Sequence, residues 1–342
     1  MRKFYLDILR ISAIFGVVLI HAASHHYNFY AQLSAAQWLP HDVYHSIARW
    51  CVAVFFMMSG ALLIPKQESA KSFFLKRYSR LLIVFLFWQV FYFWFLNHFP
   101  DLSTGYGWYR FFFEQAGYHL WFMNAILQVY LLIPIFQHLA TKMSKDLLLY
   151  TIAVWLIPTA GLRLFEVLTG VGVTGYHLPA RYLLDYGGFL LLGYYIDQHV
   201  KLKRSWNWPL AGVAIVCAVM ITWLKWLWRG AVHSFADNNL GVHMIIFGVA
   251  IFLWCKNQEE HFQKFFSHPK IARIIKSLSE CSFGIYLLHL IVLTWFQKNS
   301  YLNGSWPNGW LGVPMITVAI FVICWLTTAL LRKIPLLKRL VA

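Results

Sequence analysis

Two side chains that could do chemistry lie within the first apolar segment of the chain. Arg10 and His21 are separated by ten residues inside the run from Leu6 to Ala23. Moving a charged or titratable group out of water costs on the order of several kcal/mol, so such groups within a bilayer usually have a function. Eleven helical positions make three turns with about 20° left over, so both side chains share one face, roughly 16 Å apart along the axis. This spacing indicates a site or a path that joins a cation to a base.

A purely structural interpretation of the same pair is also open. Arg10 lies close to the start of the segment, where its long side chain could reach the membrane interface. Asp7, three residues earlier on the same helical face, could neutralise its charge. His21 lies near the other end of the segment, where an interfacial histidine needs no special role.

The composition indicates a polytopic helical membrane protein. The chain of 342 residues is 60% hydrophobic and 12% charged, with a mean hydropathy of +0.57. Repeated apolar runs of about 20 residues are typical of transmembrane helices. We expect an all-α bundle formed by one integral membrane domain over residues 1–342, with no cleavable signal peptide. The ten predicted spans cover residues 5–23, 46–64, 78–97, 119–138, 147–165, 180–197, 208–228, 239–255, 281–297 and 311–331.

The basic residues predict how the chain is oriented. If the N-terminus is cytoplasmic, 21 of the 29 Lys and Arg residues fall on the cytoplasmic side and seven on the far side, while Arg10 lies within a span. This is the positive-inside bias of a multi-pass protein, and it places both termini in the cytoplasm. The net charge of +16 is therefore explained by topology and by contact with anionic lipid, so we expect no nucleic-acid partner.

Neither a metal site nor a disulfide framework is predicted. Several histidines fall in or beside the far-side connections, but none has the spacing to cysteine or carboxylate ligands that metal sites show. The histidines concerned are His25, His26, His41, His45, His98, His177 and His233. The five cysteines are scattered singly in or beside spans, as buried thiols are. No permanently bound cofactor is expected.

Five stretches of sequence carry a family resemblance. Their order and separation resemble the acyltransferase-3 family of membrane acyltransferases, and the closest subgroup is the bacterial surface-polysaccharide O-acyltransferases. The resemblance covers about residues 5–330. The stretches are LDILRISAIFGVVLIH (6–21), VFFMMSGALLI (54–64), FFLKRYSRLLIVFLFW (73–88), HLWFMNAILQVYLLIPIF (119–136) and LSECSFGIYLLHLIVL (278–293).

The resemblance implies a ten-helix enzyme of the bacterial cytoplasmic (inner) membrane. Such enzymes move an acyl group, usually acetyl, from cytoplasmic acyl-CoA to a hydroxyl of a surface glycan or of its lipid-linked precursor. The family's Arg-x10-His motif falls on Arg10, assigned to the acyl donor, and on His21, assigned to catalysis. The Arg-x-x-Arg motif of the third span falls on Arg77 and Arg80. Where family members often have a proline shortly after this pair, the chain has Leu-Ile-Val at 82–84.

The residues themselves suit acyl transfer to an alcohol. Such a reaction needs a base, donors for the developing oxyanion and an anchored leaving group. The unperturbed pKa of a histidine, about 6.5, leaves His21 a neutral base at working pH. Asp42 is a candidate carboxylate partner for its ring.

A cluster of basic residues could hold the phosphates of CoA. Arg77 and Arg80 are three residues apart and are expected to share a helix face, with Lys76 beside them. Basic residues at cytoplasmic span ends are also ordinary topology signals, so both interpretations stay open. The extended pantetheine arm of CoA is about 15–20 Å long, the same order as the Arg10–His21 separation. We therefore expect the arm to pass Arg10 and to present its thioester near His21.

Other polar residues on span faces are secondary candidates. Contacts to the acceptor or to the oxyanion are candidate roles for Trp121, Asn124, Gln128, Ser59, Tyr286 and His289. Interhelical hydrogen bonding is at least an equal alternative for Asn124 and Gln128, a structural pair is favoured for Tyr286 and His289, and close helix packing is favoured for Ser59 before Gly60. Contacts to an anionic glycan-lipid carrier are predicted for Arg163, Arg181 and Asp185. Sugar stacking or an interfacial aromatic belt are the two interpretations of Trp38, Trp108, Tyr109, Trp306 and Trp310.

The main rival function is transport. Intramembrane charges and a bundle of about ten spans would also suit an exporter of polysaccharide or glycolipid that transfers no acyl group. The requirement for an acyl donor distinguishes the two functions, because an acyltransferase must bind acyl-CoA and must lose activity in His21→Ala. The sequence leaves open a homo-oligomer.

Overall fold

The computed structural model describes residues 3–27, 32–169, 171, 181–227, 238–266, 268–299 and 307–341. Over these residues the regular structure is helical, without a β-strand. In chain order the α-helices are α1 Phe4–Tyr27, α2 Ala35–Ile47, α3 Cys51–Leu63, α4 Ala70–Phe95, α5 Gly105–Phe113, α6 Trp121–Tyr130, α7 Ile133–Leu139, α8 Lys145–Thr169, α9 Arg181–His199, α10 Asn207–Leu227, α11 Val242–Asn257, α12 Glu259–Phe265, α13 Pro269–Asn299, α14 Gly309–Leu331 and α15 Pro335–Val341.

Several helices are long and apolar enough to cross a membrane. Within the described residues there are seven such segments, or eight if the bent pair α6–α7 counts as one span. The protein is thus a multi-pass membrane protein. The seven segments are Phe4–Ser24, Ala35–Lys66, Ala70–Phe95, Lys145–Glu166, Arg204–Trp226, Pro269–Lys298 and Gly309–Leu331.

The predicted number of ten spans is not confirmed. Two of the predicted spans correspond to α9 and α11, which do not reach the length and apolarity of the others. With 16 residues, α11 is about 24 Å long, whereas the hydrocarbon core of a bilayer is about 30 Å thick. The helix α9 is long enough, but it carries Arg181, Asp185 and Asp197 within its 19 residues.

Two local features differ from the predicted spans. The stretch 24–45, expected to be a connection, contains most of α2, which begins at a capping box formed by Ser34 and Gln37. The expected continuous span 119–138 is bent by 42° between α6 and α7. Pro134 lies in the first turn of α7, and because proline has no N–H it cannot extend the hydrogen-bond ladder of α6.

The first helix lies at the centre of the bundle. It packs against α2, α3, α13 and α14, while α3 packs most extensively against α9. The α3–α9 contact is close enough to require glycine on both helices. A Cβ atom on Gly60 would lie 1.9 Å from the carbonyl oxygen of Leu190, and one on Gly193 would lie 2.0 Å from that of Met57. This close packing fixes α3 beside α1.

Polar contacts hold the N-terminal end of α1 in place. Glu259 accepts hydrogen bonds from the backbone N–H groups of Phe4 and Tyr5, at 3.1 and 2.7 Å. Asp197 accepts from Lys3 and from the Tyr5 hydroxyl, each at 2.5 Å. Arg10 and His21 therefore lie on a helix that is anchored at its start and surrounded by others along its length.

Candidate active site

Arg10 and His21 line two cavities that follow one another along the same four helices. Both cavities are bounded by residues of α1, α3, α6 and α13. We call them the Arg10 cavity and the His21 cavity. On α1 the lining proceeds from Arg10 and Ile14 to Val17, Ile20 and His21, one helical face from end to end. The shared face predicted from the spacing is thus confirmed.

The Arg10 cavity is the larger of the two, with a volume of about 410 Å³. Its wall on α3 and the turn that follows reaches from Phe55 to Lys66, which corresponds to roughly 16 Å at the helical rise. Ser59 and Tyr130 contribute hydroxyl groups, and their oxygens lie 3.3 Å apart. The cavity is therefore an elongated apolar channel with a few polar groups and a basic residue, Lys66, at one end.

The charge of Arg10 is balanced by its neighbours. Its Nη1 donates a hydrogen bond to the Ser279 hydroxyl at 3.1 Å, and this hydroxyl donates to Asp7 Oδ1 at 2.6 Å. The direct distance between Arg10 Nη1 and Asp7 Oδ1 is 3.9 Å. Asp7 does neutralise Arg10, as the structural interpretation expects, and Arg10 lines the cavity as well. The two interpretations are compatible.

The His21 cavity is small, with a volume of about 60 Å³. His21 and His119 lie in its wall together with the guanidinium-bearing Arg49 and the amide-bearing Asn239. Trp121, one of the predicted contact residues, lines it too. Three residues bound both this cavity and the Arg10 cavity, namely Phe55, Phe122 and Tyr286.

Three histidine rings meet at the His21 cavity. The ring of His289 stacks on that of His21 with a centroid separation of 5.1 Å, and it contacts His119 edge-on at 5.0 Å. Tyr118 packs edge-on against His21 at 5.0 Å. Within the described part of the chain, no group of three His, Cys, Asp or Glu side chains is arranged to hold a metal ion.

Several nitrogens of this cluster have no hydrogen-bond partner. The Nδ1–H of His289 donates to the Tyr286 carbonyl at 2.6 Å, so its Nε2 is a bare acceptor, and that atom is buried without a partner. Both ring nitrogens of His119 are also buried and unpartnered. Buried polar atoms in folded proteins are nearly always satisfied by protein or by ordered water, so these nitrogens are the atoms of the cluster that a substrate or a water molecule could contact.

The predicted residues Tyr286 and His289 thus lie beside His21. The Tyr286 hydroxyl donates to the backbone carbonyl of His119 at 2.6 Å, which joins α13 to the start of α6. Tyr286 also bounds both cavities. Both residues combine structural hydrogen bonds with a position at the site.

The other predicted polar contacts lie outside the two cavities. Gln128 donates to Asn124 Oδ1 at 2.8 Å, and neither side chain is part of either cavity wall. Asp42, the candidate partner of His21, instead pairs with Lys225, whose Nζ lies 3.7 Å from Asp42 Oδ1. The ring contacts that the structure gives His21 are Tyr118 and His289.

A π-helical turn interrupts α4 at the predicted CoA-binding residues. It covers Phe74–Tyr78, so Lys76 and Arg77 lie in a widened turn, and Arg80 follows it. Arg77 is half-buried and its Nε donates to Glu68 Oε1 at 2.5 Å, whereas Arg80 and Lys76 are exposed. Arg77 also interacts electrostatically with Lys66 at the end of the Arg10 cavity. Arg77 is the member of the predicted basic cluster that the structure connects to the cavity.

The predicted carrier contacts lie at a separate groove. Arg163 Nη1 lies 3.4 Å from Glu166 Oε2, its Nη2 lies 3.7 Å from Asp185 Oδ2, and Arg181 contacts the Tyr182 ring and hydroxyl. Arg163 and Asp185 line an apolar groove of about 570 Å³ between α8 and α9. Among the predicted aromatics, Trp108, Tyr109 and Trp310 are exposed and Trp38 is buried, whereas Trp306, His177, His233 and the His25 side chain lie outside the described residues.

The residues of the His21 cavity that the sequence did not assign include Arg49, His119, Phe122 and Asn239. Arg49 is one of the seven basic residues on the predicted far side, and no pattern singles out Phe122 or Asn239. His119 opens the HLWF stretch at the start of the fourth predicted span, so its position in that stretch was the available signal. None of the four has a helical spacing to Arg10 or His21, because they come from other elements.

Comparison with known proteins places the chain in a family. The sequence model of the acyltransferase-3 family, described as an acyltransferase domain, matches residues 3–329. No curated protein matches the chain, and no solved structure does. The match includes Arg10, His21 and all four helices that form the two cavities. The chain therefore belongs to the acyltransferase-3 family of membrane acyltransferases.

Proposed function

We propose that the protein is a membrane O-acyltransferase that moves an acyl group, most simply acetyl, from cytoplasmic acyl-CoA to a hydroxyl of a surface glycan or of its lipid-linked precursor. His21 is the general base. The observation that carries this proposal is the succession of the Arg10 cavity and the His21 cavity along the same four helices. A donor and an acceptor could meet at His21 from opposite sides.

The Arg10 cavity supplies the donor site. The pantetheine arm of CoA, about 15–20 Å when extended, matches the roughly 16 Å of wall between Lys66 and Phe55. Its phosphates would remain at the basic end, where Lys66 and Arg77 interact electrostatically. Arg80 and Lys76, exposed on the same helix, extend this positive surface.

The reaction is an addition followed by an elimination. His21 takes the proton from the acceptor hydroxyl while the hydroxyl oxygen forms a bond to the thioester carbonyl carbon. The carbonyl oxygen becomes an oxyanion, for which the His119 ring and Arg49 in the cavity wall are the proposed donors. The C–S bond then breaks, the imidazolium returns its proton to the departing thiolate, and free CoA and an O-acyl ester result.

The orientation of the chain supports a donor from the cytoplasm. With the positive-inside bias, the Lys66 end of the Arg10 cavity faces the cytoplasm and His21 lies toward the far side. In a bacterium this membrane is the cytoplasmic (inner) membrane, and acylation near its outer face needs no carrier to move the acyl group across.

Purified protein in lipid vesicles tests the proposal directly. Acetyl-CoA with a labelled acetyl group is supplied with glycan lipids extracted from the host, and mass spectrometry of the acceptor reports the ester. His21→Ala should lower the rate about 10²- to 10⁴-fold, the usual contribution of a general base. His261→Ala, at an exposed histidine far along the chain, is the matched control and should retain the parent rate.

Two outcomes would contradict the proposal. If His21→Ala in correctly inserted protein transfers acetyl at the rate of the parent, His21 is not the base. If the parent moves glycan lipid across the vesicle membrane and yields no ester, the rival function of an exporter is favoured.

A further inference from the structure

We propose that Phe55, Phe122 and Tyr286 form an aromatic partition that sets the length of the acyl group the enzyme transfers. This inference rests on the proposed function and deepens it. These three side chains are the ones that bound both cavities, so the partition lies where the donor channel ends and the His21 cavity begins.

The partition consists of rings in mutual contact. The centroid of Phe122 lies 5.5 Å from that of Phe55 and 5.8 Å from that of Tyr286. On its other sides Phe122 packs against Phe56 at 5.1 Å and Trp121 at 6.0 Å. Because the hydroxyl of Tyr286 is bound to the His119 carbonyl, the third ring is held in place. A ring with four aromatic neighbours has little room to move aside.

The two cavities differ in volume about sevenfold, 410 Å³ against 60 Å³. The smaller volume is enough for only a few water molecules. An acetyl group has three heavy atoms and fits such a space, whereas each further methylene of a longer acyl chain needs additional volume. Tightly packed interiors resist such additions.

The direction of approach places the acyl group beyond the partition. The pantetheine arm occupies the Arg10 cavity, so the thioester carbon must reach past the three rings to contact the hydroxyl that His21 activates. The methyl end of the acyl group then lies in the His21 cavity. The partition and the small cavity therefore exclude long acyl chains, while the donor channel is wide enough for the pantetheine arm of every acyl-CoA.

Competition between acyl-CoA donors of different length tests the partition. The vesicle assay is run with acetyl-CoA, butyryl-CoA and hexanoyl-CoA, and the ratio of kcat/KM for each longer donor to that for acetyl-CoA is measured. We expect Phe122→Ala and Phe55→Ala to raise the butyryl-to-acetyl ratio tenfold or more. Phe122→Leu, which removes less volume and keeps the packing more nearly intact, should raise it by a smaller factor.

Ile126→Ala is the matched control for cavity size. Ile126 lies one turn after Phe122 on α6 and lines the Arg10 cavity but not the His21 cavity. Its truncation widens the donor channel alone and should leave the ratio as in the parent. An unchanged ratio in Phe122→Ala and Phe122→Leu proteins that still transfer acetyl would overturn the partition. Absence of transfer from acetyl-CoA by the parent would instead refute the proposed function, so the two failures are distinct.

Discussion

Two clusters of buried titratable residues lie beside the C-terminal half of α1, and they differ in how their polar atoms are satisfied. In the first, the Lys225 cluster, Lys225 of α10 contacts Asp42, His45 and Ser46 of α2. Its Nζ lies 3.7 Å from the Asp42 carboxylate, 3.1 Å from His45 Nδ1 and 3.1 Å from the Ser46 hydroxyl. The Tyr27 ring covers it at 4.9 Å. Both charged side chains are fully buried.

The second cluster, formed by His21, His119 and His289, is buried but incomplete. Three ring nitrogens of His119 and His289 have no hydrogen-bond partner, and His21 and His119 line a cavity. In the Lys225 cluster a buried cation and a buried carboxylate offset each other, although Asp42 Oδ2 makes no hydrogen bond, whereas three ring nitrogens of the histidine cluster make none. We therefore regard the Lys225 cluster as a structural contact between α2 and α10, and the histidine cluster as the part of the molecule to which the proposed site belongs.

The largest effect is expected when the Lys225 cluster is broken. Lys225→Met removes the cation that lies beside the buried Asp42 carboxylate, and breaking a buried ion pair in this way typically costs about 3–5 kcal/mol. The thermal midpoint of unfolding in detergent should fall strongly, while kcat per folded molecule should stay near that of the parent.

A second substitution shows whether the lost stability comes from the pair itself. In Asp42→Asn/Lys225→Met both charges are removed together, so most of the stability should return. If Lys225→Met lowers kcat tenfold at unchanged stability, the Lys225 cluster belongs to the catalytic site and the contrast between the two clusters is wrong.

The opposite pattern is expected for His119→Phe. Phenylalanine keeps the ring contacts to Tyr92 and His289 but removes two nitrogens that have no partner. Stability should be unchanged or higher, because no hydrogen bond is lost. The rate of acyl transfer should fall about 100-fold, the usual result of removing one donor to an oxyanion.

A variant that partly restores the rate would distinguish a hydrogen-bond donor at position 119 from a ring that only fills space. His119→Asn retains an N–H group that could reach the oxyanion, so its rate should lie between those of His119→Phe and the parent. A loss of several kcal/mol of stability in His119→Phe with an unchanged rate would place His119 in the same structural class as Lys225.

The sequence predicted the helical bundle better than its irregularities. Long apolar runs fix the helices because backbone groups in a bilayer must be satisfied within the helix. Hydropathy averages over many residues, so it did not register the bend at Pro134 or the π-helical turn at 74–78. Hydropathy also did not indicate α2. In the sequence its buried residues His41, Asp42 and His45 are typical of a polar connection, because Lys225, which contacts Asp42 and His45, lies nearly two hundred residues away.

The sequence could predict only those residues of the candidate site that lie on one helix, α1. Arg10 and His21 share a face of α1, as their spacing predicts, and each lines one of the two consecutive cavities. His289 reaches His21 only because α13 packs against α1, and such a contact leaves no periodic signal in the sequence. Arg49 was interpreted as a topology charge because a single arginine outside a motif gives no indication of its neighbours.

Arg77 is an intermediate case, because its partner Glu68 satisfies it but both side chains remain partly exposed. If the phosphates of CoA bind here, they compete with Glu68 for the guanidinium. Arg77→Gln should raise KM for acetyl-CoA about 3- to 10-fold, as expected for one partly screened charge-assisted contact. Glu68→Gln should lower KM for acetyl-CoA, since it frees Arg77 and removes a negative charge.

Lys338→Gln, at an exposed cation of α15 outside both cavities, controls for the general loss of positive charge and should leave KM unchanged. Equal increases of KM in Arg77→Gln and Lys338→Gln would show that Arg77 acts only through the net charge of this surface. A rise of KM in Glu68→Gln would show that the Arg77–Glu68 pair is a structural contact, like the Lys225 cluster.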